Sequence, residues 1–144
     1  MDTMPLYNQL GPILVLTISA VGSCFGSYIG WAAAHAAMTK TEEGHGKFIG
    51  IASAPASQII YGFVLMLLMY NKIIAGTFSP IAAIPVGLLS GLAIMCSSII
   101  QGKLVATAIQ ASLKQPSLYG KCFAAVGILE SFSLFVFVFT LLII

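Results

Sequence analysis

Hydrophobic residues fall into four long stretches along the chain, separated by short polar segments. The stretches run from about Leu10 to Met38, Phe48 to Tyr70, Ile81 to Leu113 and Cys122 to Ile144. Because one crossing of a bilayer takes about 20 mostly apolar residues, each stretch predicts a transmembrane helix. Short connections join the helices into two hairpins, formed by residues 1–72 and residues 73–144. The pattern therefore predicts an all-α membrane protein with four transmembrane helices.

Two polar loops form the predicted hairpin tips, at residues 39–47 (TKTEEGHGK) and 114–121 (KQPSLYGK). Four of the six lysines flank these tips: Lys40, Lys47, Lys114 and Lys121. Only Lys72 lies at the opposite end, so the positive-inside rule places the tips in the cytoplasm and both termini outside. A signal peptide is the alternative interpretation of the first stretch, but no cationic segment precedes it and its apolar run is too long.

The composition excludes several functional classes. Hydrophobic residues make up 59% of the 144 residues, and only six lysines and four acidic residues carry a formal charge, which excludes an ordinary soluble domain. The net charge of +2 is small and scattered, so we expect no nucleic-acid partner. Cys24, Cys96 and Cys122 lie in apolar stretches without C-x-x-C spacing, so we expect buried side chains without a redox or metal role.

The second half of the sequence repeats the first. A shift of 72 residues, half of the 144, aligns three identical pairs: Cys24 with Cys96, Gly30 with Gly102, and Phe63 with Phe135. It also superposes loop on loop, which predicts a duplicated hairpin. The same shift places Gln58 opposite Glu130, so one repeat has an amide where the other has a carboxylate. This difference is expected if two ion sites became one.

The four predicted helices differ in side-chain size. The first and third carry small residues at helical spacing: Gly22, Gly26 and Gly30, then Gly87, Gly91 and Gly102. Small residues allow close helix contacts, whereas the second and fourth helices carry bulky runs such as FSLFVFVFTLLII that suit lipid. We therefore expect a two-layered ring of identical subunits surrounded by lipid. A monomer with four spans is the alternative.

Glu130 is an acidic residue deep within the fourth stretch. At 1.5 Å per residue, Glu130, Gln58 and Gln101 lie about 14 to 20 Å from the hairpin tips. A central charge costs about 2.5 to 3.5 kcal/mol on insertion scales, so the carboxylate must be protonated, paired or bound to a cation.

Oxygen atoms are concentrated near the same depth. Four residues of the second helix share one face: Ala54, Ser57, Gln58 and Tyr61. Pro55 is expected to kink this helix and free a backbone carbonyl. With Gln101 and the charge of Glu130, these oxygens suit a small hard monovalent cation. Two structural alternatives are a protonated Glu130 bonded to Gln58 and an ion pair with Lys103, although Lys103 is expected to extend toward the cytoplasm.

Three segments resemble the duplicated proteolipid of V-type rotary ATPases, bacterial subunit K. They are PASQIIYGF (55–63), IIQGKLVATAIQ (99–110) and AAVGILESF (124–132), and the likeness covers nearly the whole chain. The resemblance implies a non-catalytic rotor subunit in the bacterial inner membrane, with identical copies forming a ring. It also implies a stator subunit that carries a basic residue, a central stalk at the hairpin tips, and coupling of ion flow to ATP synthesis or hydrolysis.

The resemblance also implies roles for individual residues. Glu130 would carry the ion, and in sodium-translocating relatives the shell would be completed by Gln58, Gln101, the Ser57 hydroxyl and the Ala54 carbonyl. Tyr61 would donate a hydrogen bond to Glu130. The sequence departs from the pattern in having Ser57 where Thr is frequent and Ala56 where Gly is common.

The sequence leaves the identity of the ion open. A proton needs only the carboxyl group, whereas the amides and the hydroxyl are useful to a cation that takes several oxygens, so we expect Na⁺ rather than H⁺ alone. An alternative of a different class is a four-helix exporter of cationic drugs with a single glutamate. Such sites usually surround the acid with aromatic side chains, whereas the second helix offers amides.

Overall fold

The computed structural model describes residues 5–144, and this part of the chain consists of α-helices joined by short turns. The α-helices are α1 (Tyr7–Met38), α2 (His45–Ala52), α3 (Gln58–Ile74), α4 (Pro80–Lys114) and α5 (Tyr119–Ile143). Two 3₁₀ turns precede α3 and α5, at Ala54–Ser57 and Pro116–Leu118. The predicted first hairpin begins at residue 1, and its residues 1–4 lie outside the described residues.

Four helical segments in the described residues are long and apolar enough to cross a membrane. They are Tyr7–Met38, His45–Ile74, Pro80–Lys114 and Pro116–Ile143. This confirms the predicted all-α membrane fold of four transmembrane helices. With 32 and 35 residues, α1 and α4 are about 48 and 52 Å long, so both extend beyond a hydrocarbon core of about 30 Å.

The second membrane-spanning segment is interrupted at Pro55. The helix α2 ends at Ala52, a 3₁₀ turn covers Ala54–Ser57, and α3 begins at Gln58. Proline has no backbone N–H, and its ring clashes with the carbonyl four residues earlier, so an uninterrupted α-helix is disfavoured here. The turn contacts both α1 and α4, which places it inside the protein.

The helices α1 and α4 form the central pair of the molecule, because small residues let their backbones come close. A Cβ atom added to Gly102 would lie only 2.6 Å from the Cα of Gly26, and one added to Gly22 would lie 2.9 Å from the Cβ of Met95. The helix α3 packs mainly against α1, and α5 packs mainly against α4. The helices rich in small residues therefore lie together, and the bulky helices flank them.

Within residues 5–144, two apolar clusters form the core. One surrounds Phe48, Ile51 and Ile109 near the hairpin tips, and the other surrounds Leu65 and Ile94 toward the opposite end. Between these positions along the helices lie buried polar side chains, which include Gln58 and Gln101. The apolar clusters thus enclose a polar layer in the middle of the molecule.

The expectation of buried cysteines is wrong for Cys24 and Cys96, which are exposed on this chain, while Cys122 is half-buried. The contact of α1 with α4 uses Gly22 and Gly26, and position 24 lies on a different face of α1. The side chains of Cys24 and Cys96 therefore point away from the contact of α1 with α4.

Candidate functional site

Glu130 lies in α5 with a half-buried side chain that points toward the second membrane-spanning segment. Its Oε1 atom accepts hydrogen bonds from the Ser57 hydroxyl and from the Tyr61 hydroxyl, the latter at 3.3 Å. Tyr61 packs in turn against Phe137, with ring centroids 5.6 Å apart. The carboxylate therefore has polar partners on α3 and on the turn before it.

The hydroxyl of Ser57 stands between two acceptor oxygens. Its Oγ atom is within hydrogen-bond distance of Glu130 Oε1 and lies 2.8 Å from the backbone carbonyl of Ala54. A serine hydroxyl has one proton and donates to one acceptor at a time. The Ala54 carbonyl and Glu130 Oε1 thus compete for the one Ser57 proton, an arrangement that a small cation can satisfy.

The 3₁₀ turn at Pro55 brings the Ala54 carbonyl and the Ser57 hydroxyl together, because these groups are three residues apart. Helix α4 holds this turn in place, since Ser98 Oγ donates a hydrogen bond of 3.1 Å to the Pro55 carbonyl. The hydroxyl of Ser97 similarly reaches the Leu129 carbonyl of α5 at 3.3 Å. Helix α4 therefore anchors the two segments that carry the oxygens.

A second group of hydrogen bonds joins the buried amides. Ser133 Oγ donates to Gln58 Oε1 at 2.5 Å, Gln58 Nε2 donates to Gln101 Oε1 at 2.7 Å, and Gln101 Nε2 donates to the Val126 carbonyl at 3.0 Å. The side chains of Ser133, Gln58 and Gln101 are fully buried. Each amide is thus held at both its oxygen and its nitrogen, which defines its orientation.

The predicted residues therefore form two adjacent networks. Ala54, Ser57 and Tyr61 meet Glu130, whereas Gln58 and Gln101 bond to each other. Gln58 accepts a hydrogen bond from Ser133 and donates one to Gln101, which leaves its amide engaged away from the carboxylate. The chain itself links the networks, because Ser57 precedes Gln58 and Ser133 lies one helical turn after Glu130.

Lys103 does not lie inside this polar layer. Its side chain is exposed, although the neighbouring Gly102 and Gln101 are buried. A long lysine stem can follow apolar surface while its ammonium group reaches water.

Sequence reasoning missed three groups in the site: the hydroxyls of Ser98 and Ser133 and the carbonyl of Val126. Ser133 had a signal, because a residue three positions after Glu130 shares its helix face. Val126 had one as well, since the 72-residue repeat pairs it with Ala54. Ser98 has no comparable signal. Its hydrogen bond to the Pro55 carbonyl depends on how far α4 is shifted along its axis relative to the turn, and the sequence does not show this.

The arrangement suits reversible neutralisation of one charge. Glu130 supplies a single negative charge, and a hydroxyl and a backbone carbonyl lie beside it. All are hard oxygen ligands, which favour small hard cations over soft metals. Either a proton or such a cation would remove the charge that makes a carboxylate costly within a membrane.

Comparison with known protein families gives two matches to a single family. The model of the family described as the C subunit of ATP synthase matches the chain at residues 10–69 and again at residues 84–143. No individual curated protein matched. Members of this family are non-catalytic membrane subunits that form rings of identical copies. The two matches cover most of the chain and agree with the predicted duplication, so the chain belongs to the ATP synthase C-subunit family.

Proposed function

We propose that this chain is the subunit K rotor of a bacterial V-type ATPase or ATP synthase and that it carries Na⁺ on Glu130. The observation behind this proposal is the convergence of Glu130 with the Ser57 hydroxyl and the Ala54 carbonyl at the interrupted helix. Family membership makes the chain a rotor-ring subunit, so the four-helix drug exporter is the wrong class. The V-type subfamily and the ion are parts of the proposal.

Sodium is favoured over a proton by the number of oxygens near the carboxylate. A proton needs one carboxyl oxygen, whereas Na⁺ takes several oxygen ligands. Ala54, Ser57 and Glu130 would supply three of them, and the amide oxygens of Gln58 and Gln101 would turn toward the ion to complete the shell. Tyr61 would remain a hydrogen-bond donor to Glu130.

The bound ion allows the ring to turn through lipid. With its charge neutralised, Glu130 can face the hydrocarbon at modest cost, whereas the ionised carboxylate needs water or a nearby cation. A basic residue of the stator subunit would stabilise the ionised form, and an arginine suits this role because its guanidinium is always charged. Ion exchange would therefore occur at the stator, where rotation and ion flow become coupled.

The orientation of the subunit follows from the lysines at the hairpin tips. The positive-inside rule places these tips in the cytoplasm, and the termini would then lie outside the cytoplasmic membrane. The tips would contact the central stalk, which connects the ring to the soluble ATP-hydrolysing or ATP-synthesising head.

The test is labelling of Glu130 by a hydrophobic carbodiimide in the assembled ring, with Na⁺ titrated at fixed pH. The reagent reacts with the protonated carboxyl group, so Na⁺ bound at Glu130 excludes both the proton and the label. We expect millimolar Na⁺ to protect Glu130 while an equal concentration of K⁺ does not.

Two controls make the labelling experiment specific. The Glu130→Gln variant removes the reactive carboxyl, whereas Glu42 and Glu43 are exposed tip residues that provide a reference for reaction in water. Protection that responds to pH and is indifferent to Na⁺ would contradict the sodium proposal and indicate a proton rotor. Absence of labelling in the unsubstituted ring would contradict an ion-carrying role for Glu130.

A further inference from the structure

A cleft lies between the two hairpin tips, on the side of the molecule away from the chain ends. It has a volume of about 300 Å³ and is formed by the loop after α1, the start of α2, the end of α4 and the start of α5. Its walls include Lys40, Lys47, Phe48, Ser112 and Tyr119. The ion site does not use any of these residues, so the cleft is a separate feature of the fold.

The charges around the cleft favour an anion. Lys40 and Lys47 carry positive charges on its walls, and Glu43 carries one negative charge. The ammonium nitrogen of Lys47 lies 5.8 Å from the centre of the Tyr119 ring, within the range of a cation–π contact. This contact holds the Lys47 ammonium group at the cleft wall. The charges of Lys40, Lys47 and Glu43 sum to one positive charge, which favours an anionic ligand.

Ser112 places a buried hydroxyl at the cleft. Its side chain is only 6% exposed, and its Oγ atom is buried with no hydrogen bond within the described residues. Buried polar groups are normally paired, and leaving one unpaired costs about 1 to 3 kcal/mol. Because Ser112 lines the cleft, a ligand oxygen bound there could accept its proton.

We propose that this cleft binds the phosphate group of an anionic phospholipid. The cleft lies where α1 and α4 end, at Met38 and Lys114, which is the level expected for lipid headgroups. Phe48 and Leu113 give the cleft apolar walls that can contact the glycerol and upper acyl chain. The single excess positive charge matches a phosphodiester, which has one negative charge.

The test measures the lipid that remains bound to the assembled ring after purification from a mixture of phosphatidylglycerol and phosphatidylcholine. Native mass spectrometry counts each lipid per ring. We expect phosphatidylglycerol to be retained in preference to phosphatidylcholine. One lysine near an anionic membrane surface contributes about a fivefold change in binding, so Lys47→Gln is expected to lower the retained phosphatidylglycerol by about that factor.

Two further variants separate a built site from general surface charge. Ser112→Ala removes a hydroxyl that has no partner among the described residues, so it should leave ring assembly intact and still lower lipid retention. Lys121→Gln removes the same charge from the same end of the molecule but outside the cleft, and it should leave retention unchanged. Lys47→Arg keeps the charge and should retain the lipid, which separates charge loss from misfolding.

Three results would overturn the proposal. Equal losses in Lys47→Gln and Lys121→Gln would indicate diffuse attraction to the membrane, and unchanged retention in Ser112→Ala would remove the hydroxyl from the site. Displacement of the lipid by excess inorganic phosphate would indicate a free phosphate ligand. None of these results affects carbodiimide labelling at Glu130, so the cleft and the ion site are tested separately.

Discussion

The candidate site combines one charged group, the Glu130 carboxylate, with polar side chains that are held in fixed orientations. The carboxylate meets the Ser57 and Tyr61 hydroxyls, while the amides of Gln58 and Gln101 hold each other in buried surroundings. An unpaired amide would be costly in such surroundings, so the hydrogen bonds from Ser133 and to the Val126 carbonyl stabilise the free site. We infer that Ser133 is a positioning residue, since it contacts Gln58 rather than Glu130.

The Ser133→Ala variant tests this positioning role. It removes the hydrogen bond to Gln58 Oε1, which stabilises the Na⁺-free site by about 1 kcal/mol and is given up when that oxygen turns toward the ion, so we expect the Na⁺ concentration for half-protection against carbodiimide to fall about fivefold. The pH dependence of labelling without Na⁺ should stay the same, because the Glu130 contacts remain. Ser131→Ala is the matched control, since the Ser131 hydroxyl donates within its own helix, to the Ile128 carbonyl. An unchanged Na⁺ requirement in Ser133→Ala would exclude the positioning role.

At the level of the helices, the interruption at Pro55 and the close contact of α1 with α4 depend on each other. The turn at Ala54–Ser57 receives a hydrogen bond from Ser98, and Ser98 also packs against Gly26 of α1. A Cβ atom on Gly26 would lie 2.9 Å from Ser98 Oγ and still closer to the Ser98 carbonyl. Gly26 therefore allows α4 to approach α1 closely at Ser98, the residue that donates the hydrogen bond to the turn.

Gly26→Ala is expected to destabilise the subunit. Overpacking a close contact costs about 1 to 3 kcal/mol, which outweighs the gain of up to about 1 kcal/mol from replacing glycine within a helix. Thermal unfolding of the purified ring would measure the loss. Gly120→Ala is the control, because a Cβ atom there meets no atom of residues 5–144 within 4 Å. Equal stabilities for the two variants would show that the contact of α1 with α4 tolerates a methyl group.

At the scale of the whole molecule, the surface is unusually apolar for one chain. Large hydrophobic side chains such as Phe132, Phe135 and Phe139 are exposed. These phenylalanines line a groove of about 770 Å³ between α4 and α5 that also includes Ala93. Family members form rings, so part of this surface is expected to meet a second copy and the rest to meet lipid.

The groove between α4 and α5 is the face that we expect to receive the neighbouring copy. Ala93→Trp would fill part of the groove and lower the yield of assembled rings, because a tryptophan occupies the space of the incoming side chains. Val138→Trp is the control, since Val138 is exposed on α5 outside the groove, where lipid can adapt to a larger side chain. Native mass spectrometry of the purified complexes would measure the yield. Rings of unchanged mass and amount in Ala93→Trp would place the interface elsewhere.

Much of this protein was determined by the sequence alone. Hydrophobic length predicts four membrane-spanning helices, and internal similarity predicts the duplication; the fold and the two family matches confirm them. Both features are properties of residues along one chain or one helix, so spacing is sufficient to predict them. Helical spacing also predicted one shared face for Ala54, Ser57, Gln58 and Tyr61. In the structure a 3₁₀ turn covers Ala54–Ser57, and Gln58 bonds to Gln101 rather than to Glu130.

Tertiary structure decided which groups meet across different helices. It paired the amides of Gln58 and Gln101 with each other rather than with Glu130, and it placed the Ser98 hydroxyl within hydrogen-bond distance of the Pro55 carbonyl. It also exposed Cys24 and formed the cleft beside Ser112. These outcomes depend on how far each helix is shifted along its axis and rotated about it relative to its neighbours. For α1 and α4, the glycine contacts between them constrain this relative placement. Spacing within one helix carries no information about that relative placement, which is the physical reason the sequence left it open.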